Sequence, residues 1–224
     1  MIHCDLIEKV ALLRASTRYP RNRSKIAIKK QTEPTIFMKF CSECAHPVVL
    51  SIPADDTRLR FVCPNCGTIH YQNPKLVVGS IPVWERDGVV RVMLCKRAIE
   101  PRYGYWTLPA GFMENEETTT DAARRETIEE AGANIELHEL FSLVNVPHVH
   151  QVHLFYRATL LDLNYQAGSE SLEVALFTED TIPWKEIAFP TIEYTLRHFF
   201  SDVNKHAGFG FHTEDIRKRM ALQA

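Results

Sequence analysis

Apolar and polar positions alternate with a period of two in several separate stretches of the chain. Residues 76–84 (LVVGSIPVW) and 90–96 (VRVMLCK) read as strands, and Glu85, Arg86, Asp87 and Gly88 between them read as a hairpin turn. Strand signals return at 134–147, 149–161 and 172–178. A loop at 97–106 carries Pro101 and Gly104. Residues 118–131 read as a helix stopped by Gly132, and 191–203 (TIEYTLRHFFSDV) as a second helix. Ile2, Leu6, Val10 and Leu13 fall at helical spacing, whereas 204–224 shows no period and reads as a loosely held tail. Strands interleaved with helices predict an α/β layered domain. There are no internal repeats and no low-complexity tract.

The organisation predicted from these signals has four parts. Residues 1–38 form a basic leader, read either as poorly ordered or as lying upstream of a true start at Met38. Residues 39–75 form a compact cysteine module closed by the turn signal Gln72-Asn73-Pro74, residues 76–203 form the α/β domain, and 204–224 form the tail. Charge sharpens the division. The chain is −2 overall, but residues 1–38 hold eight Lys/Arg against Asp5, Glu8 and Glu33, which leaves −7 for the rest. That balance argues against a dedicated nucleic-acid binder, and an acidic body suits carboxylates gathered around divalent cations. The longest apolar runs fall short of the roughly 18–20 residues a membrane span needs, so no membrane partner is expected.

Four of the six cysteines form two C-x-x-C pairs, Cys41/Cys44 and Cys63/Cys66, eighteen residues apart. Each pair makes a tight knuckle whose two sulfurs reach one ion, and two knuckles complete a tetrahedral zinc site. Four thiolates leave no open coordination position, so the expected Zn²⁺ is structural. Cysteines used this way imply a reducing compartment, and a cytoplasmic location is expected. Cys95 alternates within an apolar strand and reads as a small buried hydrophobe. His148, His150 and His153 invite a metal reading, but only His148 and His150 would share a strand face and no third ligand is evident at matching spacing, so they read as a polar face.

The second concentration of chemistry is Gly111–Ala133, GFMENEETTTDAARRETIEEAGA. On a helix, Glu126 and Glu130 are i,i+4 and Glu129 is i+3 from Glu126, so three carboxylates share a face. Such a face is either solvated or neutralised by hard cations, Mg²⁺ or Mn²⁺. Arg125, i,i+4 from Glu129, can hold part of the array.

Gly111, Glu117 and Arg125-Glu126-Thr127-Ile128-Glu129-Glu130-Ala131-Gly132 fall at the spacing of the Nudix box, and this stretch resembles that of the Nudix hydrolases. Thr127 and Ala133 stand where a bulky aliphatic residue is usual. The four-Cys ribbon followed by Tyr71-Gln72-Asn73-Pro74 is similar to the NADH pyrophosphatase branch. That branch carries a Ser-Gln-Pro-Trp-Pro-Phe-Pro segment after the box, where this chain reads Phe141-Ser142-Leu143-Val144-Asn145-Val146-Pro147-His148. Residues 168–173 and Leu94-Cys95-Lys96-Arg97 look more like the ribbon-bearing enzymes that cleave ADP-ribose and FAD. The resemblance implies a Nudix α/β/α sandwich with a mixed sheet behind a zinc ribbon. It implies divalent-metal-dependent hydrolysis of a dinucleotide or other nucleoside diphosphate derivative (ADP-ribose, FAD or NADH class), releasing AMP, by a homodimer. It further implies that Glu126, Glu129, Glu130 and the Ala110 carbonyl hold the metal and that Glu117 pairs with Arg125. Glu129 and Glu173 are both candidates for the general base. Arg97 and Lys96 end a strand before the site and are candidates for phosphate, and Phe112, Tyr105 and Trp106 for stacking on adenine. Two other functions fit the same residues: a zinc-ribbon nucleic-acid-binding protein with an inactive Nudix-like domain, and an enzyme that removes a nucleotide cap from RNA.

Overall fold

The computed structural model describes residues 38–217, so most of the basic leader and the last seven residues lie outside the described residues. The cysteine module is a small antiparallel sheet of β1 (Val49–Ser51), β2 (Arg60–Val62) and β3 (Ile69–His70). Its knuckles hold Cys41 and Cys63 buried. Extended backbone at Lys75 then opens the main sheet.

That sheet is built from β4 (Lys75–Arg86), β5 (Val89–Arg97), β6 (Trp106–Thr107), β7 (Ala110–Phe112), β8 (Ile135–Val146), β9 (Gln151–Leu160), β10 (Ser171–Phe177) and β11 (His212–Asp215). The spatial order is β10-β5-β4-β9-β8-β11, with β6 on β5 and β7 on β4. The sheet is mixed: β4 runs parallel to β9 and β11 parallel to β8, and the remaining pairs are antiparallel. The β4–β5 hairpin turns at Asp87 and Gly88, both at positive φ (53° and 73°), the conformation that a two-residue Asp-Gly turn favours.

Two helices, α1 (Thr119–Ala131) and α2 (Pro190–Lys205), bury their apolar stripes on opposite faces. The period of two explains the division. On β5, Val92 and Leu94 join Ile81, Phe141, Phe155 and the α2 residues Ile192, Leu196, Phe199 and Phe200. The intervening Met93 and Cys95 pack with Ala131 and Ala133 at the end of α1. Ala122 and Ala123 let α1 lie close on Val78 and Leu154. Thr127, where the Nudix pattern has an aliphatic residue, is fully buried. Its hydroxyl lies 2.6 Å from that of Ser80 and donates to the Ala123 carbonyl at 2.7 Å. The polar substitution is thus matched by a polar partner on β4, as burial requires.

Residues 204–224 are not a loosely held tail through their first part. β11 adds to the sheet edge beside β8, and Asp202 at the end of α2 accepts from Gly210 N at 2.9 Å and pairs with His212 at 2.8 Å. A four-residue strand has too short a period to read, and its anchor is a buried carboxylate ten residues earlier. Among the described residues no helix is long and apolar enough to cross a membrane.

Candidate active site

Local sequence determines where α1 begins and ends. Thr118 caps it in a reciprocal box with Asp121: Asp121 N donates to the threonine hydroxyl at 3.1 Å, and Thr118 N donates to the Asp121 carboxylate at 3.2 Å. Gly132 ends it at φ 58°, a left-handed conformation cheap only for glycine. The box carboxylates therefore fall on the last two turns, facing β7.

Arg125 organises this face. Its guanidinium donates to Glu117 at 2.7 and 3.0 Å, to Glu126 at 2.7 Å, to Glu129 at 3.1 Å and to the Phe112 carbonyl at 3.1 Å. The bidentate pair with Arg125 holds the Glu117 carboxyl down to about 2, helped by Glu114 N. One side chain thus ties the loop before α1, the end of β7 and the helix together.

The three box glutamates are not equivalent. Glu126 and Glu130 are buried, at 8% and 7% exposure, whereas the side chain of Glu129 stands at the rim. Glu130 accepts from Ala110 N at 3.2 Å, which places it against β7. Burial first, then the charges of Glu126 and Glu170, push the Glu130 carboxyl up to about 8, against the pull of Ala110 N–H and Arg97. Burial raises Glu126 as well, against the adjacent Arg125, with Glu129 and Glu170 adding to the rise. Two buried carboxylates with a third at the rim offer only oxygen donors, the ligand type a hard divalent cation takes, and such an ion would offset the negative charge that burial has cut off from water.

Glu170, just before β10, was missed by sequence reasoning. Its backbone is tied in beside the box glutamates, with Gly168 N donating to the Glu130 carbonyl at 3.0 Å and Ala98 N to the Glu170 carbonyl at 2.8 Å, and its charge adds to the upward push on both Glu126 and Glu130. Nothing in its local pattern separates it from Glu173, because only the fold brings the start of β10 beside α1. Glu173 is instead exposed on β10, facing Lys96 at 4.0 Å. Arg97, on the neighbouring strand, reaches Glu130 electrostatically while its Nε donates to the Pro101 carbonyl at 2.9 Å and its guanidinium lies over Phe189. Lys96 lies over Trp106, whose ring is buried and belongs to the core. Phe112 is exposed beside the site, with Lys75 Nζ 4.8 Å from its ring centre.

In the ribbon, Cys41, Cys44, Cys63 and Cys66 place their sulfurs within 4.8 Å of one another, with separations of 3.4–3.6 Å for three of the pairs. A tetrahedral zinc thiolate with bonds of ~2.3 Å has sulfur–sulfur edges of ~3.8 Å, so the four fit one Zn²⁺. Cys95 is buried, and burial raises its thiol far above the ordinary range.

The fold and box agree with family models. Residues 39–72 match the Nudix N-terminal zinc ribbon, and residues 73–199 match the NUDIX domain. The chain belongs to the Nudix hydrolase family, in the form that carries a zinc ribbon. A crystal structure of a NUDIX hydrolase from Nitrosomonas europaea superposes with a TM-score of 0.76 at 52% identity, covering 81% of this chain and 100% of that one. Among curated proteins, the NAD-capped RNA hydrolase NudC of Chromobacterium violaceum is 30% identical over 163 residues, 71% of this chain. The chain spans 57% of that relative's length. The human 8-oxo-dGDP phosphatase NUDT18 is 33% identical over 115 residues, 50% of this chain and 35% of that protein.

Proposed function

We propose that this protein hydrolyses the pyrophosphate bond of a nucleoside diphosphate derivative of the ADP-ribose, FAD or NADH class, releasing AMP. The observation that carries the reading is the sunken pair Glu126 and Glu130, backed by Arg125 and joined by Glu170 and Arg97. Glu126, Glu129, Glu130 and the Ala110 carbonyl would hold a Mg²⁺ or Mn²⁺ ion, which would supply positive charge to offset that of the pyrophosphate and of the leaving phosphate. The chain's own residues do the rest. Arg125 and Glu117 keep the carboxylates in place. Arg97, held by the Pro101 carbonyl, directs its planar fork at a phosphate. Phe112, with Lys75 beside it, offers a flat apolar face for a base or nicotinamide ring. One carboxylate accepts the proton of the attacking water, and Glu129 and Glu170, both at the water-exposed rim, are the candidates for it, whereas Glu173 faces Lys96 at 4.0 Å. Zinc in the ribbon holds the small module together. The protein works as a homodimer in the cytoplasm.

A second reading is removal of a nucleotide cap from RNA by the same carboxylates. It is favoured by the similarity to a NudC named for NAD-capped RNA. Incubating the zinc-loaded protein and Mg²⁺ or Mn²⁺ with ADP-ribose, FAD, NADH and NAD-capped RNA, with product identification by HPLC, decides between them. AMP from the free dinucleotides supports the first reading, and faster turnover of the capped RNA supports the second. No cleavage of any of the four refutes both.

A further inference from the structure

The segment between β9 and β10 crosses the end of α1 instead of looping into solvent. Gln166 N donates to the Ala131 carbonyl at 2.9 Å and Gly168 N to the Glu130 carbonyl at 3.0 Å. These are two of the last carbonyls of α1, which a helix leaves without internal partners. Gly168 packs so tightly there that a β-carbon on it would overlap the Glu129 carbonyl oxygen, a backbone atom that cannot swing away. Gly168 is not at positive φ, so the need for glycine here is one of space alone. Immediately afterwards Ser171 N closes a turn on the Gly168 carbonyl at 3.1 Å, and Ala98 N donates to the Glu170 carbonyl at 2.8 Å. Glu170 is therefore fixed on one side to the backbone of Glu129 and Glu130 and on the other to the residue after Arg97.

We propose that Gly168 is a positioning residue for the active site: by seating residues 166–171 directly on the carbonyl end of α1, it sets the distance of the Glu170 carboxylate from Glu126 and Glu130. The inference rests on the divalent-metal reading of that cluster. The covalent frame is economical. The residues that present Glu129 and Glu130 as side chains present their carbonyls to the segment that carries Glu170, so both sets of carboxylates share one rigid helix end. An alanine at 168 must lift the segment off the helix, and Glu170 moves with it.

The test is a double-mutant cycle on the full-length, zinc-loaded protein, with Mn²⁺ as the probe. Mn²⁺ affinity is read by electron paramagnetic resonance without substrate, and turnover is measured on ADP-ribose. Gly168→Ala is expected to weaken Mn²⁺ binding at least ~10-fold, the scale seen when groups that orient metal ligands are lost. Glu170→Gln is expected to do the same, and the double variant to be little worse than either, because both remove one carboxylate from one place. Independent, additive losses overturn the proposal, as does Gly168→Ala with wild-type Mn²⁺ affinity. If Gly168→Ala does not fold, Gln166→Pro takes its place in the cycle: its ring carbon stands where the N–H bonded to Ala131 was, so it deletes that hydrogen bond and pushes the segment off the carbonyl end of α1. Failure of the wild-type protein to bind Mn²⁺ beyond its zinc would instead refute the metal reading of the cluster.

Discussion

The α-carbon of Gly111 lies against the carboxylate of Glu126, so close that a β-carbon on Gly111 would overlap Cδ and both oxygens of that side chain. Glycine at the head of the box is thus a spatial condition for sinking a carboxylate between β7 and α1, at a position where the backbone needs no unusual φ. Gly111→Ala is expected to displace Glu126 and lower turnover by ~10²-fold, the scale of losing an electrostatic group at the transition state. Thermal stability should change little, because the displaced carboxylate gains water. Loss of stability equal to a core defect, with turnover per folded molecule intact, would contradict this.

The two glutamates three residues apart before and within β10 are expected to behave differently. Glu170→Gln removes a charge felt by Glu126 and Glu130 and should cut turnover by ~10²-fold. Glu173→Gln breaks only an exposed contact with Lys96, worth under ~1 kcal/mol, and should leave turnover within about twofold. Steady-state kinetics on both variants check the assignment; the reverse order would make Glu173 the proton acceptor.

Zinc is expected at one ion per chain. Cys63 is the most deeply buried of the four sulfur donors, and its replacement by serine removes a thiolate that supplies much of a small module's folding energy. Metal analysis of Cys63→Ser should show the zinc lost and the ribbon protease-sensitive, while residues 73–199 keep their fold. One zinc per chain in both proteins would refute the four-thiolate site.

His153 supplies a pH prediction. Burial pushes its imidazole down to about 4, from an unfolded value near 6.5. The folded state therefore resists the proton that the unfolded chain accepts. Its contribution to stability is complete above pH 6.5 and is lost as pH falls from 6.5 towards 4. Urea unfolding of wild type and His153→Gln across that window should show a steeper acid loss in the wild type, by about 3 kcal/mol at pH 4. Parallel curves would mean the ring is hydrated in solution.

Much of this molecule is written in short-range pattern. The hairpin at Asp87-Gly88, α1 up to its stop at Gly132, α2, and the pairing of Arg125 with Glu129 follow from local spacing, where backbone geometry leaves few alternatives, while the pairing of Arg125 with Glu117 was implied by the resemblance of the box. The paired cysteines likewise name their metal by ligand type and spacing. What the period of two and the period of 3.6 do not carry is which distant segments meet. Glu170 and Glu173 look alike in the sequence. The strand pairing of β10 on β5, and the seating of Gly168 on the end of α1, send one to the carboxylate cluster and the other to Lys96. The strand His212–Asp215 was invisible for the same reason: its partner Ser142–Asn145 lies about 70 residues earlier, and four residues are too few to show a pattern. The unequal burial of Glu126, Glu130 and Glu129 was also decided by tertiary packing. One helix face offers all three alike, and only the strand laid against it determines which carboxylates lose their water.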